Sequence, residues 1–123
     1  MNITASESLI MEVLWRAERP LAIEDLQEAL KNEGWKDGTV RAFLARMLRK
    51  KAVAAKREGK RQLYRPLLPR ADYVQAESQG LLDRLFGGEV APMVAHLAEH
   101  GELSASDIRR IKAVIRKLEK KDE

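Results

Sequence analysis

The sequence predicts a mainly α-helical fold: a winged helix-turn-helix with a small β-hairpin wing, followed by a C-terminal three-helix region. Three observations predict it. Between Asp37 and Lys50 the apolar residues Val40, Phe43, Leu44, Met47 and Leu48 recur at the spacing of one helical face, and a second helical pattern precedes them across a short turn, Gly34 to Gly38. The runs Ala52–Arg57 and Lys60–Arg65 then flank Glu58-Gly59 as two short strands flank a hairpin turn. Beyond Pro66 and Pro69 the pattern changes to three amphipathic helical stretches separated by glycines.

Each element has a local reason. Thr4 and Glu7 stand at capping-box spacing, so a helix starts there and runs to about Ala17, offering Ile10, Met11, Leu14 and Trp15 to a core. Pro20 ends the connection, and Leu21-Ala22 can form a short extended piece. The next helix spans Ile23 to Glu33, turns Ile23, Leu26 and Leu30 inward, and stops at Gly34 as a left-handed cap. Trp15 and Trp35 are large enough to anchor a small core. After the hairpin, Arg70 to about Phe86 forms a long helix, and Gly87-Gly88 breaks it. Val90, Met93, Val94 and Leu97 define a short helix ended by Gly101. The last helix starts at Ser104, paired with Asp107 as a second capping box, and places Ile108, Ile111, Ile115 and Leu118 on one stripe. The expected division is a domain over residues 1–69 and a helical domain over 70–123.

Charge separates the chain further. Its net charge of +4 hides 11 Lys and Arg against 2 acids between Lys36 and Arg65, so that segment carries +9 and the remainder −5. This concentration is the footprint of a polyanion-binding surface. On the Asp37–Lys50 helix the side opposite the apolar face holds Thr39, Arg41, Ala42, Ala45, Arg46 and Arg49, with no carboxylate. A solvated helix face ordinarily mixes both signs. A cationic face with small residues suits the major groove of duplex DNA, where Arg pairs bidentately with guanine. The hairpin carries Lys56, Arg57, Lys60 and Arg61, placed to lie along phosphates. Structured RNA is the alternative polyanion, and a protein-docking module the alternative without nucleic acid.

Other functions find little support. Cysteine is absent, which removes disulfides, thiolate catalysis and thiolate metal sites. No apolar run reaches membrane-spanning length and the first residues do not read as a signal segment, so a cytoplasmic protein without membrane contact is expected. His96-Leu-Ala-Glu99-His100 matches an inverted zinc-peptidase signature, but a catalytic zinc needs a third protein ligand and a substrate cleft. Neither is apparent, so no enzymatic activity, metal or cofactor is expected.

With these elements in place, the chain resembles the penicillinase-repressor family of bacterial transcription regulators, the BlaI/MecI type. The residues that carry the resemblance are Glu7-Ser-Leu-Ile-Met11 with Trp15, Thr39-Val-Arg41 with Leu44 and Arg46, Leu63-Tyr64, and Leu85-Phe-Gly-Gly88. The resemblance implies a winged helix-turn-helix, a helical C-terminal dimerisation region and repression by binding inverted-repeat operators. Ser8 stands where the family usually has Trp, and Ala42 and Ala45 replace polar residues that often face bases. These differences bear on the operator sequence rather than the mode of binding.

Three helices in just over fifty residues bury little by themselves, so a second copy of the chain is the expected cover for Leu85, Phe86, Val90, Met93, Val94, Ile108, Ile111, Ile115 and Leu118. The resemblance also implies relief of repression when an antirepressor peptidase cuts the dimerisation region. The matching bond here joins His96 to Leu97, a His-Leu pair in place of the family's Asn-Phe.

Overall fold

The computed structural model describes residues 1–122 and orders them as six α-helices and one antiparallel hairpin. The chain divides into two compact units, the first Met1–Val74 and the second beginning at Gln75.

In the first unit, α1 (Ala5–Ala17) opens with the expected capping box. Thr4 Oγ1 accepts from the Glu7 amide at 3.2 Å, and Glu7 Oε1 accepts from the Thr4 amide at 2.9 Å. Helix α2 is shorter than its sequence pattern suggests. It covers Ile23–Ala29, and Lys31–Glu33 continues as a 3-10 turn that ends on Gly34 with φ of 72°. Asn32 and Gly34 are poor helix formers, and the tighter turn is a common way to finish a helix. Helix α3 (Thr39–Arg49) follows Gly38, which has φ of 85°.

Strands β1 (Val53–Glu58) and β2 (Arg61–Pro66) lie one residue later than expected. Two things shift them. The turn is the pair Gly59-Lys60 between the paired Glu58 and Arg61, with positive φ at Gly59 alone, as a type II′ turn requires. Ala52 is committed elsewhere: its amide donates to Met47 O at 2.9 Å, closing the end of α3, and its carbonyl accepts from the amides of Leu67 and Leu68. Leu21 adds a one-residue bridge to Tyr64 on the far side of β2, as the Leu21-Ala22 pattern anticipates.

The core comprises Ile10, Met11 and Leu14 of α1, Leu26 of α2, Leu44 and Met47 of α3, and Val53 of β1. Both tryptophans, expected as anchors, sit at its margin instead. Trp15 donates its indole N–H to Leu68 O at 2.9 Å and packs on Tyr73, while Trp35 meets Phe43 edge-on. An indole with a polar tip gains by keeping that tip near a rim acceptor. Leu48, expected inward, is 36% exposed, because α3 contacts its neighbours along the narrower Val40, Leu44, Met47 line.

Among the described residues one charged side chain is fully enclosed. Glu7 has no exposed surface, and Lys50, at the end of α3, donates its ammonium to Glu7 Oε1 at 2.7 Å and to Asn2 O at 2.7 Å. Glu7 Oε2 is buried without a hydrogen-bond partner.

The second unit contains the rest of α4 (Arg70–Phe86), then α5 (Val90–Glu99) and α6 (Ala105–Lys121). Ser104 and Asp107 cap α6 reciprocally at 3.0 and 3.1 Å. Gly101, at φ of 72°, closes α5, with the Glu102 amide returning to Leu97 O. No residue of these three helices is fully buried.

The Glu7–Lys50 pair generates the first prediction. Burial alone would raise the Glu7 pKa, but the hydrogen bonds from Lys50 and Thr4 outweigh it and hold the carboxyl below its ordinary 4.5. Its contribution is therefore present above about pH 4.5 and is lost as pH falls through the lower folded value. Lys50→Met should cost up to about 3 kcal/mol, the low end for a broken buried pair because the lysine is partly solvated. Thermal melts from pH 3 to 7 should show a lower Tm near neutrality and a flatter acid limb. An unchanged Tm and acid limb would mean the pair stabilises nothing.

Candidate nucleic-acid interface

The geometry starts with α3. Burial of Val40, Leu44 and Met47 fixes the helix rotation, which leaves Arg41, Ala42, Ala45, Arg46 and Arg49 exposed and Thr39 half-buried at the first turn. The helix contains no acidic residue, and no side chain caps its N-terminus. Its first free amides and positive dipole end therefore remain available to an anion. The Arg46 guanidinium lies over the Phe43 ring, 4.8 Å from the centroid.

The wing brings a second set of cations. Lys56, Arg57, Lys60 and Arg61 are all exposed around the hairpin turn, with Arg57 opposite Gln62 and Glu58 opposite Arg61. Arg57 donates to Gly59 O at 3.2 Å, and Arg61 lies 3.7 Å from Asp25 at the start of α2. Both members of that ion pair are solvated, so it leaves most of the arginine's charge available. A cleft of about 220 Å³ is lined by Arg41 from α3, Arg57, Lys60, Arg61 and Gln62 from the wing, and Ile23 and Glu24 from α2. Four cations thus line the cleft with one acid, Glu24, while Asp25 stands beside Arg61, and an arrangement with this excess of cations accepts an anion.

Of the residues expected to contact nucleic acid, Arg41, Arg57, Lys60 and Arg61 therefore share one cleft. Arg46, Arg49 and Lys56 lie outside its lining. Lys50 belongs to the cationic segment but is occupied by Glu7. Sequence reading missed that use of Lys50, the Asp25–Arg61 approach and the Trp35–Phe43–Arg46 stack. The i,i+3 spacing of Phe43 and Arg46 was the available signal for the last.

In the second unit, the apolar residues expected to be covered by another copy divide by exposure. Leu85, Val90, Ile108, Ile115 and Leu118 are exposed, whereas Phe86, Met93, Val94 and Ile111 are half-buried. Val114, outside the expected set, is among the most exposed of the large apolar side chains at 58%, and Leu81 is also exposed. Val114 widens the α6 stripe by one position beside Ile115.

At the expected cleavage bond, His96 is exposed and Leu97 half-buried, both inside α5. The His96 and His100 rings lie 4.3 Å apart, and His100 Nδ1 is 2.9 Å from the His96 carbonyl. Among the described residues no three His, Cys, Asp or Glu side chains gather as a metal would need.

A family model described as penicillinase repressor matches residues 3–117. The chain belongs to the penicillinase repressor family. This is a family of transcriptional repressors and not of enzymes. The chain is similar to the penicillinase repressor of Bacillus licheniformis, 26% identical over 114 residues, which span 93% of this chain and 89% of that protein. It is 22% identical over 121 residues to the penicillinase repressor of Staphylococcus aureus, covering 98% and 96% of the two chains. The methicillin resistance regulatory protein MecI of Staphylococcus aureus strain N315 is 21% identical over 116 residues, 94% of each chain. Membership in the penicillinase repressor family thus spans both units rather than the winged helix alone. Among the described residues no helix is long and apolar enough to cross a membrane.

Proposed function

We propose that the chain is a cytoplasmic DNA-binding repressor that occupies a palindromic operator as a homodimer. Residues 1–69 form the DNA-binding domain and residues 70–123 the dimerisation domain. The observation that carries the reading is the convergence of Arg41 with Arg57, Lys60 and Arg61 beside the acid-free face of α3. Helix α3 enters the major groove, with Ala42 and Ala45 permitting close approach, Arg41 and Arg46 reaching base edges, and Thr39 near a phosphate or base edge at the helix start. Arg49 and the wing cations Lys56, Arg57, Lys60 and Arg61 hold the backbone. A-form RNA is a poor substitute, because its deep, narrow major groove does not admit a helix.

What supports dimerisation is the second unit, whose exposed Leu85, Val90, Ile108, Val114, Ile115 and Leu118 form an apolar surface that a second copy can cover. Two-fold protein symmetry then calls for two-fold DNA symmetry, with half-sites about 34–36 Å apart or a multiple of that. Relief of repression by an antirepressor peptidase cutting His96–Leu97 is the regulatory part of the proposal. The bond lies within α5, so it must open locally before cleavage. A cut there separates α6 from the rest of the interface without altering the DNA-reading surface.

Titrating the dimer with duplexes at several salt concentrations tests the division of roles. Arg46→Ala should cost about 1–3 kcal/mol and relax preference at one base pair. Lys60→Ala should weaken all sequences alike and lower the salt slope by about one unit. A Lys60→Ala protein with altered base preference and an unchanged slope would reverse those roles.

Ile115→Asp places a charge on the α6 stripe and should cost several kcal/mol of dimer stability by being buried unpaired. Sedimentation should then show monomer at micromolar concentration, with operator affinity falling as the two halves bind separately. A folded, dimeric, tightly binding variant would remove Ile115 from the interface.

Following the chain's mass after inducing stress, with its genomic neighbours co-expressed, should reveal two fragments parted at His96–Leu97 as repression lifts. Derepression with the chain intact would rule cleavage out.

A further inference from the structure

Among the described residues, Arg46 is the one cation placed over an aromatic ring. Its guanidinium carbon lies 4.8 Å from the Phe43 centroid, one helical turn back on α3. Phe43 is in turn braced by Trp35 from the turn before α3, with ring centroids 5.2 Å apart and planes 61° apart, an edge-on contact. Both aromatics are half-buried and packed against the core, whereas Arg46 is exposed and makes no hydrogen bond or ion pair through its side chain among the described residues. The core margin, an aromatic ring and a solvent-facing guanidinium therefore follow one another in that order.

We propose that Phe43, braced by Trp35, is a positioning residue for Arg46, presenting its guanidinium to DNA already oriented. The inference rests on the reading of α3 as the helix that enters the major groove. The stack and the contact it serves do not compete. A guanidinium held face-on to a ring keeps its N–H donors in its own plane, free for the N7 and O6 acceptors of a guanine. An arginine free in solvent loses rotamer freedom when it docks, and one already stacked loses less. The packing requirement does not itself call for an aromatic. A half-buried position facing a small core accepts leucine equally well, so the ring adds a flat, electron-rich face that leucine lacks. Trp35 completes the device by limiting the tilt of that ring, since edge-to-face aromatic pairs prefer a defined geometry. Among the described residues, Arg41 and Arg49 have no such platform.

The test uses the full chain and the highest-affinity duplex selected from a random library, together with every single-base-pair variant of that duplex. Phe43→Leu should weaken the selected duplex by about two- to five-fold, the scale of one exposed cation–π contact. It should blunt discrimination at the same base pair that Arg46→Ala relaxes and leave the salt slope unchanged. Phe43→Tyr, which keeps the π face, should restore both affinity and discrimination. In an Arg46→Ala background, Phe43→Leu and Trp35→Leu should have no further effect on binding, because nothing remains to be positioned.

Losses that add independently of Arg46, or that weaken every duplex alike, would overturn the platform and leave α3 as the reading helix. An Arg46→Ala protein that binds and discriminates as the parent does would also overturn it, since Arg46 would then contact no base. Absence of sequence-specific duplex binding by the parent chain would overturn the underlying reading as well.

Discussion

A carboxylate with no solvent exposure holds the first unit in register. Glu7 belongs to the first turn of α1, and its Oε1 is shared between the helix's own capping amide and the ammonium of Lys50, where α3 ends. Burying a charge is costly unless it is paired, so the sequence can place Glu7 there only if α3 delivers Lys50 to the same point. From Lys50 the chain has one route onward. Lys51 adopts a left-handed conformation at φ of 64°, Ala52 closes α3 onto Met47, and the Ala52 carbonyl receives the strand that leaves the hairpin. The end of α3, the start of β1 and the exit of β2 thus meet within a few residues of one ion pair. The angle between the α3 arginines and the wing cations is set by this junction.

Two scales of interaction separate what the sequence makes legible from what it conceals. Caps and turns depend on residues within a few positions of one another. Thr4 with Glu7, Ser104 with Asp107, the left-handed cap at Gly34 and the helix end at Gly101 are all readable from spacing and residue type. Contacts that require two elements to reach their final register are not. Lys50 reads as one more member of a basic run until α1 and α3 are packed, and Asp25 has no visible relation to Arg61 until α2 meets the hairpin. The one-residue displacement of both strands has the same origin: Ala52 looks like a strand residue, but the end of α3 takes its amide. Leu48 shows the limit of periodicity, because a helical stripe predicts which residues could face a core and not how wide the neighbouring surface is.

The two units differ in how they meet the hydrophobic requirement. The first buries residues from α1, α2, α3 and β1 around a shared centre. In the second, large apolar side chains from all three helices remain exposed, Leu85, Val90 and Ile115 among them. Of these helices α5, with 10 residues, is marginal alone, and all three gain most of their stability by covering an apolar face. The sequence signal for these helices was nevertheless clear, since amphipathic spacing reports that a face will be covered without naming what covers it. That is why the stripe could be read from the chain while the partition between intrachain packing and an interface could not.

This difference gives the proposed repressor a physical separation between reading and affinity. The reading surface is built on a unit whose core is closed within one chain, so the α3 side chains keep their arrangement whether or not a second copy is present. Under that proposal, affinity for a two-part operator depends on the other unit, because linking two weak binders raises avidity without adding a contact to DNA. An event that alters the exposed helices can therefore release DNA while leaving every base-reading residue in place. The exposed stripe has a corresponding cost: until covered, it is an apolar surface open to unintended partners.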